Sequence, residues 1–346
     1  MFRRAFIHNS MATVAAAWAN VPSVGANHKN KKKKLILPAK IREGATVALI
    51  APSSPPTSAK IDKAIANLKA MGFIVQPGQH LRDQKGYLAG SDADRVADIH
   101  NAFLDPTIDA IWCVRGGYGC TRILHLLDMD LIRNHPKPLI GYSDITALHI
   151  ALYQRARLVS FHGQVGGGDM TEFTLRYIQR SLLEGIQGPV TMPPFYQNMR
   201  LTPDYEPYVI RSGVAQGPLI GGNLTLLASM IGTDFAPQYK DHLVFIEEIG
   251  EAPYRVDRLL TQLIHGSDLR EASGIVLGVF SDCIQKGDTP TLTLRECLQD
   301  RLAPLGIPVY YGAPFGHISD QCVLPYGVTA TMNADEMTLT FASQNK

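Results

Sequence analysis

The residues best placed to do chemistry lie between Pro138 and His149. The apolar run Pro138-Leu139-Ile140 ends at Gly141, Ser143 follows two residues later, and a helix-like pattern starts at once. A strand that turns sharply into a helix exposes a hydroxyl, and the helix N-terminus aims backbone N–H groups at the same spot. Ser143 therefore reads as a nucleophile. At neutral pH a serine nucleophile needs a base, an acid to orient that base, and donors for the oxyanion.

Candidates for each part can be weighed. His149 is only six residues along the same predicted helix, and His100, His125 and His135 sit in helices or turns. His162 follows an apolar run and can line a site. His317 lies in Gly312-Ala313-Pro314-Phe315-Gly316-His317, a Gly/Pro-flanked loop after a strand, where a sheet delivers catalytic side chains. The acid is sought in Phe245-Ile246-Glu247-Glu248, at the end of an apolar strand. Glu247 and Glu248 point to opposite sides if the strand continues, and spacing favours Glu247 without excluding Glu248. Arg115-Gly116-Gly117-Tyr118-Gly119 supplies successive glycines whose N–H groups can converge on an anion. It fits neither the P-loop nor the dinucleotide fingerprint, so an oxyanion hole suits it better than a phosphate loop. The backbone N–H of Asp144, rather than its carboxylate, is the expected second donor. Arg115 is a cationic candidate for binding substrate beside the site.

The elements that must position these residues follow from periodicity. Short apolar runs at Gly44–Pro52, Phe73–Val75, Ile108–Val114 and Pro138–Ile140 alternate with helical patterns at Ile61–Met71, Asp92–Phe103 and Thr121–Leu127. Such alternation implies βαβ units and a mostly parallel, Rossmann-like sheet with flanking helices. Ligands of these sheets sit beyond the carboxyl ends of the strands, where the glycine loop and Ser143 both fall. The pattern changes near Phe161. The expected division is a signal-like or disordered tail over 1–35, an α/β domain over 36–165, a linker or crossover over 166–208, and a β-rich α+β domain over 209–346. Val328–Phe341 alternates as a hairpin does.

Composition narrows the function classes. The chain has 346 residues, 45% hydrophobic and 18% charged, with a net charge of +2, so nothing points to nucleic acid. The single basic run, Lys31–Lys34, lies outside the folded pattern. The five cysteines include no C-x-x-C pair, which argues against both a disulfide scaffold and a zinc framework. No stretch reaches the roughly 18 apolar residues that span a membrane. Arg3-Arg4-Ala5-Phe6-Ile7, a weakly apolar middle and small residues near Ala26 resemble a twin-arginine signal; an unstructured tail with an incidental Arg pair is the alternative.

Five motifs occur in order: Arg115-Gly116-Gly117-Tyr118-Gly119, Gly141-Tyr142-Ser143-Asp144, Gly221-Gly222-Asn223-Leu224, Phe245–Glu248 with Tyr254-Arg255-Val256-Asp257-Arg258, and Pro314-Phe315-Gly316-His317. Together, over about residues 43 to 340, the chain resembles the LD-carboxypeptidase family of serine peptidases, which includes microcin-immunity peptidases. The resemblance implies a triad of Ser143, Glu247 and His317, with the serine on the N-terminal domain and the other two on the C-terminal one. It further implies an oxyanion hole near Gly117 and Asp144, no metal or other cofactor, and a homodimer. The implied substrate is a muropeptide tetrapeptide, cut between the L-centre of diaminopimelate and the terminal D-alanine. This chain has Glu247-Glu248 where family members often have Glu-Asp. The resemblance implies a cytoplasmic enzyme, whereas the twin-arginine-like start implies a periplasmic one. Rival readings are a peptidase inactivating a peptide–nucleotide antibiotic, an α/β-hydrolase esterase or amidase, and a non-catalytic nucleotide- or sugar-binding protein.

Overall fold

Two sheets carry the structure, a computed structural model that describes residues 34–186, 188–190, 205–287 and 290–341. The signal-like stretch lies outside the described residues. The first sheet contains β1 (Thr46–Ile50), β2 (Ile74–Pro77), β3 (Ala110–Cys113), β4 (Leu139–Gly141) and β5 (Phe161–His162). All five run parallel, in the order β5-β4-β3-β1-β2. The inner strands form buried runs because helices cover both faces of such a sheet, and all of Ala110–Cys113 is buried, whereas the edge strand β2 is largely exposed.

The helices follow from spacing and caps. In α1 (Ser58–Ala70), Ile61, Ala64 and Leu68 are the buried residues, and the Thr57 side chain accepts from Lys60 N–H. In α2 (Asp92–Leu104), Ser91 and Asp94 form a reciprocal capping box. Short helices α3 (Cys120–Ile123), α4 (Met129–Asn134) and α5 (Thr146–Ala151) follow β3 and β4. Every residue of α5 is buried.

The stretch expected to be a linker or crossover, 166–208, contains regular elements where it is described. It forms α6 (Glu172–Ile178), continues through a π-type turn over Gln179–Gly185, and then adds strand β6 (Gly188–Val190). Tyr177, Ile178 and Leu182 are buried on one helical face, a pattern masked by the polar residues between them. Pro189 is tolerated because β6 is an edge strand. Residues 191–204 lie outside the described set.

The second sheet has eight strands, in the order β6-β14-β13-β8-β9-β10-β11-β7. The strands not yet placed are β7 (Tyr208–Arg211), β8 (Val214–Asn223), β9 (Leu243–Ile249), β10 (Gly274–Ser281), β11 (Val309–Gly316), β13 (Thr329–Asn333) and β14 (Thr338–Phe341). Its centre, β8 to β11, is parallel, and the flanking pairs are antiparallel. Helices α7 (Leu224–Ser229), α8 (Pro253–Gly266) and α9 (Leu294–Leu302) belong to this half. The short strand β12 (Leu324–Pro325) returns to the first sheet and pairs antiparallel with β5. Among the described residues no helix is long and apolar enough to cross a membrane.

Candidate active site

Ser143 opens a tight turn, Ser143–Ile145, between β4 and α5. Its φ is 65°, in the left-handed region that a side chain enters only at a cost. Packing enforces the turn: a methyl group added at Gly116 would lie 2.8 Å from Ser143 Cβ and 3.0 Å from its Oγ, so only glycine fits there. The Asp144 carboxylate is buried and accepts from Ser53 Oγ at 2.6 Å and from Cys120 N–H at 2.8 Å. It thus ties together the loops after β1, β3 and β4.

The second sheet delivers the other two groups. His317 follows β11, and its Nε2 lies 3.1 Å from Ser143 Oγ. Its Nδ1 lies 2.7 Å from Glu247 Oε2. Gly316 lets β11 pass close to Glu247: at φ 124°, an added Cβ would stand 2.6 Å from Val279 O and 3.3 Å from Glu247 Cβ. Burial works against a charged His317 ring, but the charge and hydrogen bond of Glu247 outweigh it, and the imidazole pKa is raised above its usual value. The Glu247 side chain is fully buried.

Glu248 has a separate task. Its carboxylate accepts from Asn223 Nδ2 (2.9 Å), Thr225 N–H (2.8 Å), Thr225 Oγ1 (2.7 Å) and Ile249 N–H (2.8 Å). Burial, then the neighbouring charge of Glu247, pushes its pKa up, while these bonds hold it down. Glu247 lies opposite Asn223 of β8, and Glu248 opposite Phe280 of β10.

Two other candidate histidines, His162 and His149, are buried away from Ser143 Oγ. His162 is fully buried and, among the described residues, has no hydrogen-bond partner on either ring nitrogen. Burial, then the charges of His149 and His317, drives its pKa well below the usual value. It packs beneath the site, with Tyr142 edge-on at 5.9 Å, and Tyr142 is in turn edge-on to His317 at 4.9 Å. His149 spans Ser160 Oγ (2.8 Å) and Gly141 O (2.9 Å), with burial lowering its pKa to about 4. The aromatic layer of Tyr142, His162, Phe245 and Phe315 was missed in the sequence because its members come from four strands or turns far apart in the chain.

In the glycine loop it is Gly116 that backs against Ser143, and Gly117 follows it. Gly117 is exposed, with φ 127°, and a Cβ there would stand 2.4 Å from Ser54 Oγ. Ser54 Oγ, in turn, accepts from Tyr118 N–H at 3.0 Å. Arg115 Nε donates to Gly116 O at 3.0 Å, and Nη1 to Pro55 O at 3.3 Å.

One group of side chains among the described residues is spaced for a cation, His80, Asp83 and Asp94, whose donor atoms lie within 4.8 Å of one another. His80 and Asp83 are bonded to each other at 2.7 Å and Asp94 is committed to its helix cap. None belongs to the Ser143 constellation. A cavity of about 490 Å³ beside β2 and α2, lined by Gln76, Asp98 and Asn101 among others, also shares no residue with it.

This two-sheet architecture matches that of a solved MccF-like protein from Bacillus anthracis. The two are 28% identical, the match covers 89% of this chain and 100% of that one, and the TM-score is 0.77. The chain is a peptidase: residues 47–163 match the LD-carboxypeptidase N-terminal domain, and residues 216–332 the LD-carboxypeptidase C-terminal domain. It belongs to the LD-carboxypeptidase family. It is 39% identical to a probable murein peptide carboxypeptidase of Bacillus subtilis, over 87% of this chain and 92% of that protein. It is 34% identical to the murein tetrapeptide carboxypeptidase of Pseudomonas aeruginosa, over 84% of this chain and 94% of that protein.

Proposed function

We propose that this peptidase is a serine LD-carboxypeptidase that removes the terminal D-alanine from murein tetrapeptides. The observation that carries this reading is the hydrogen-bonded chain Ser143 Oγ–His317 Nε2, His317 Nδ1–Glu247 Oε2, at 3.1 and 2.7 Å. A hydroxyl, an imidazole and a buried carboxylate in that order are what acyl transfer through a serine ester requires. Ser143 Oγ attacks the carbonyl of the penultimate L-centre, and His317 takes its proton. Glu247 fixes the ring with Nδ1–H facing the carboxylate and stabilises the imidazolium that forms. The N–H groups of Gly117 and Asp144 receive the oxyanion. His317 then protonates the departing D-amino acid, and water, activated by the same ring, releases the acyl group. The murein peptide carboxypeptidases among the relatives support the substrate class.

Incubation with a tetrapeptide muropeptide tests the reading. The expected product is lighter by one alanine residue, and Ser143→Ala yields none while keeping the fold. Wild-type protein that leaves the tetrapeptide intact, or a Ser143→Ala variant with full activity, refutes it. A second reading, cleavage of a peptide–nucleotide antibiotic, is favoured by the likeness to the MccF-like protein. Turnover of such a conjugate in place of the muropeptide is the result that would select it.

A further inference from the structure

Arg115 stands beside the Ser143 turn without a counter-charge, and Lys60 lies within range of its charge. Arg115 directly precedes Gly116, the residue whose backbone lies against Ser143. Its guanidinium is half-buried and spends two donors on neutral carbonyls, Gly116 O and Pro55 O. Its Nη2 lies along the exposed Gly117 backbone, 3.4 Å from where a Cβ would stand. Lys60, in the first turn of α1, comes from the same neighbourhood, because α1 begins just after the Pro55 loop that holds Arg115. The Lys60 stem packs on the loop after β5, with Cγ 3.3 Å from a Cβ built at Gly167. That loop is itself bonded to the end of β3, through Gly166 N–H to Cys113 O (2.9 Å) and Gly167 N–H to Val114 O (3.0 Å).

The charges here are mutually unfavourable. Among the described residues neither Lys60 nor Arg115 is paired with a carboxylate, whereas nearby Lys63 holds Asp169 at 2.6 Å. Burial, followed by the charge of Arg115 and then that of Lys63, lowers the Lys60 pKa. Helix α1 has no acid in its first turn and carries a lysine there, against the sense of the helix dipole. Positive charge that begins beside a nucleophile at Arg115, extends to Lys60 and meets no anion of the protein's own is arranged to take the anion from the substrate.

A carboxypeptidase substrate brings such an anion to a fixed place. The α-carboxylate of its last residue is three bonds from the scissile carbonyl carbon, on the leaving-group side. We propose that Arg115 and Lys60 form the subsite that receives this carboxylate and so restrict cleavage to the chain end. The assignment rests on the peptidase reading above and adds the reason for exopeptidase action. Arg115, with its planar guanidinium, is the directional partner, and Lys60 supplies charge from the solvent side.

The test compares a tetrapeptide bearing a free C-terminal carboxylate with its C-terminal amide. Wild type is expected to prefer the acid by about 100-fold in kcat/KM, the range of a charge-assisted pair. Lys60→Met and Arg115→Gln each cut that ratio about tenfold or more, and Arg115→Lys restores part of it. Lys60 makes no side-chain hydrogen bond among the described residues, so its variant keeps the test valid if Arg115→Gln disturbs the loop. A second readout is independent of turnover: millimolar N-acetyl-D-alanine should slow labelling of Ser143 by a fluorophosphonate, N-acetyl-D-alaninamide should not, and the difference should vanish in both variants. Equal handling of acid and amide by wild type, or an unchanged ratio and unchanged protection in both variants, overturns the subsite. Acid-selective protection that depends on Arg115 and Lys60, in a protein that cleaves no muropeptide, upholds the subsite and refutes the substrate reading instead.

Discussion

Replacing Glu247 with glutamine is the most incisive perturbation, because the change is nearly isosteric and removes one charge. Glu247 Oε2 sits 2.7 Å from His317 Nδ1, and the Glu247 side chain is fully buried. When His317 becomes an imidazolium, two unit charges face each other at a centre-to-centre distance of about 4 Å. At an effective dielectric of about 20 that attraction is roughly 4 kcal/mol. Its loss corresponds to about a 10³-fold fall in kcat/KM. The carboxamide nitrogen can also donate to Nδ1, which places the ring proton on Nε2 and turns the acceptor facing Ser143 into a donor, so a larger fall is compatible with the same cause. The pH profile separates this effect from simple damage. In the wild type the His317 pKa is raised, and activity needs the neutral ring, so the acidic limb of kcat/KM should lie above the ordinary histidine value of about 6.5. In Glu247→Gln the two contributions of Glu247 are gone while burial, which lowers the pKa, remains, so the limb should move to below about 6.5. The linkage has the same sign. Stability from the His317–Glu247 pair is complete below the unfolded-state pKa and fades as pH rises through the raised folded value, and the variant loses that acid-side contribution. Steady-state kinetics on a muropeptide from pH 5 to 9, with denaturant melts across the same range, read both effects. A loss under tenfold with an unmoved acidic limb would show that Glu247 does not govern the base.

Three further substitutions probe the framework around the serine. Ser143→Gly should abolish activity yet raise the melting temperature by about 2 °C, because glycine relieves a left-handed φ worth about 1 kcal/mol; a drop on calorimetry contradicts the strain argument. Gly116→Ala should leave a folded protein with kcat down about 100-fold, since its methyl would stand 3.0 Å from Ser143 Oγ and displace it; wild-type kcat rules that out. Thr146→Val keeps volume but strips the acceptor from Asn223 N–H, now bonded at 3.0 Å, and should cost about 1–3 kcal/mol in urea unfolding; a neutral result means the amide finds another partner.

Legibility in the sequence tracked how local each signal was. The parallel first sheet could be read because each strand–helix unit carries its own period and caps, as in Ser91 with Asp94. The turn at Ser143 was equally local. Strand β12 was invisible: two residues long, it joins β5 from the other half of the chain, and no periodicity marks so short a pairing. The helix over Glu172–Gly185, inside the stretch expected as a linker or crossover, was hidden for a related reason, since polar residues interrupt the buried stripe of Tyr177, Ile178 and Leu182. The choice between Glu247 and Glu248 depended on register. Both end the same apolar strand, and which one meets His317 is set by how β9, β10 and β11 align, including shifts in β10 beyond Leu277 that leave no local mark.

The division of labour between the two carboxylates follows from that register and explains why both are present. Glu247 is held by few bonds: Oε2 meets His317, while Oε1 has no partner among the described residues. Glu248 is saturated by Asn223, Thr225 and Ile249, and so anchors α7 to β9. Asn223 also reaches the other sheet, through its backbone N–H to Thr146 on the helix behind Ser143. Tyr326, next to β12, adds a second link by donating to Gly221 O at 2.7 Å. The hydroxyl thus comes from one sheet and the base and acid from the other, and buried polar contacts at Asn223 and Tyr326 help fix the 3.1 Å gap between them. Orienting the base and anchoring a helix to its strand thus fall to different residues. Two adjacent glutamates on opposite faces of one strand satisfy both demands without compromising either.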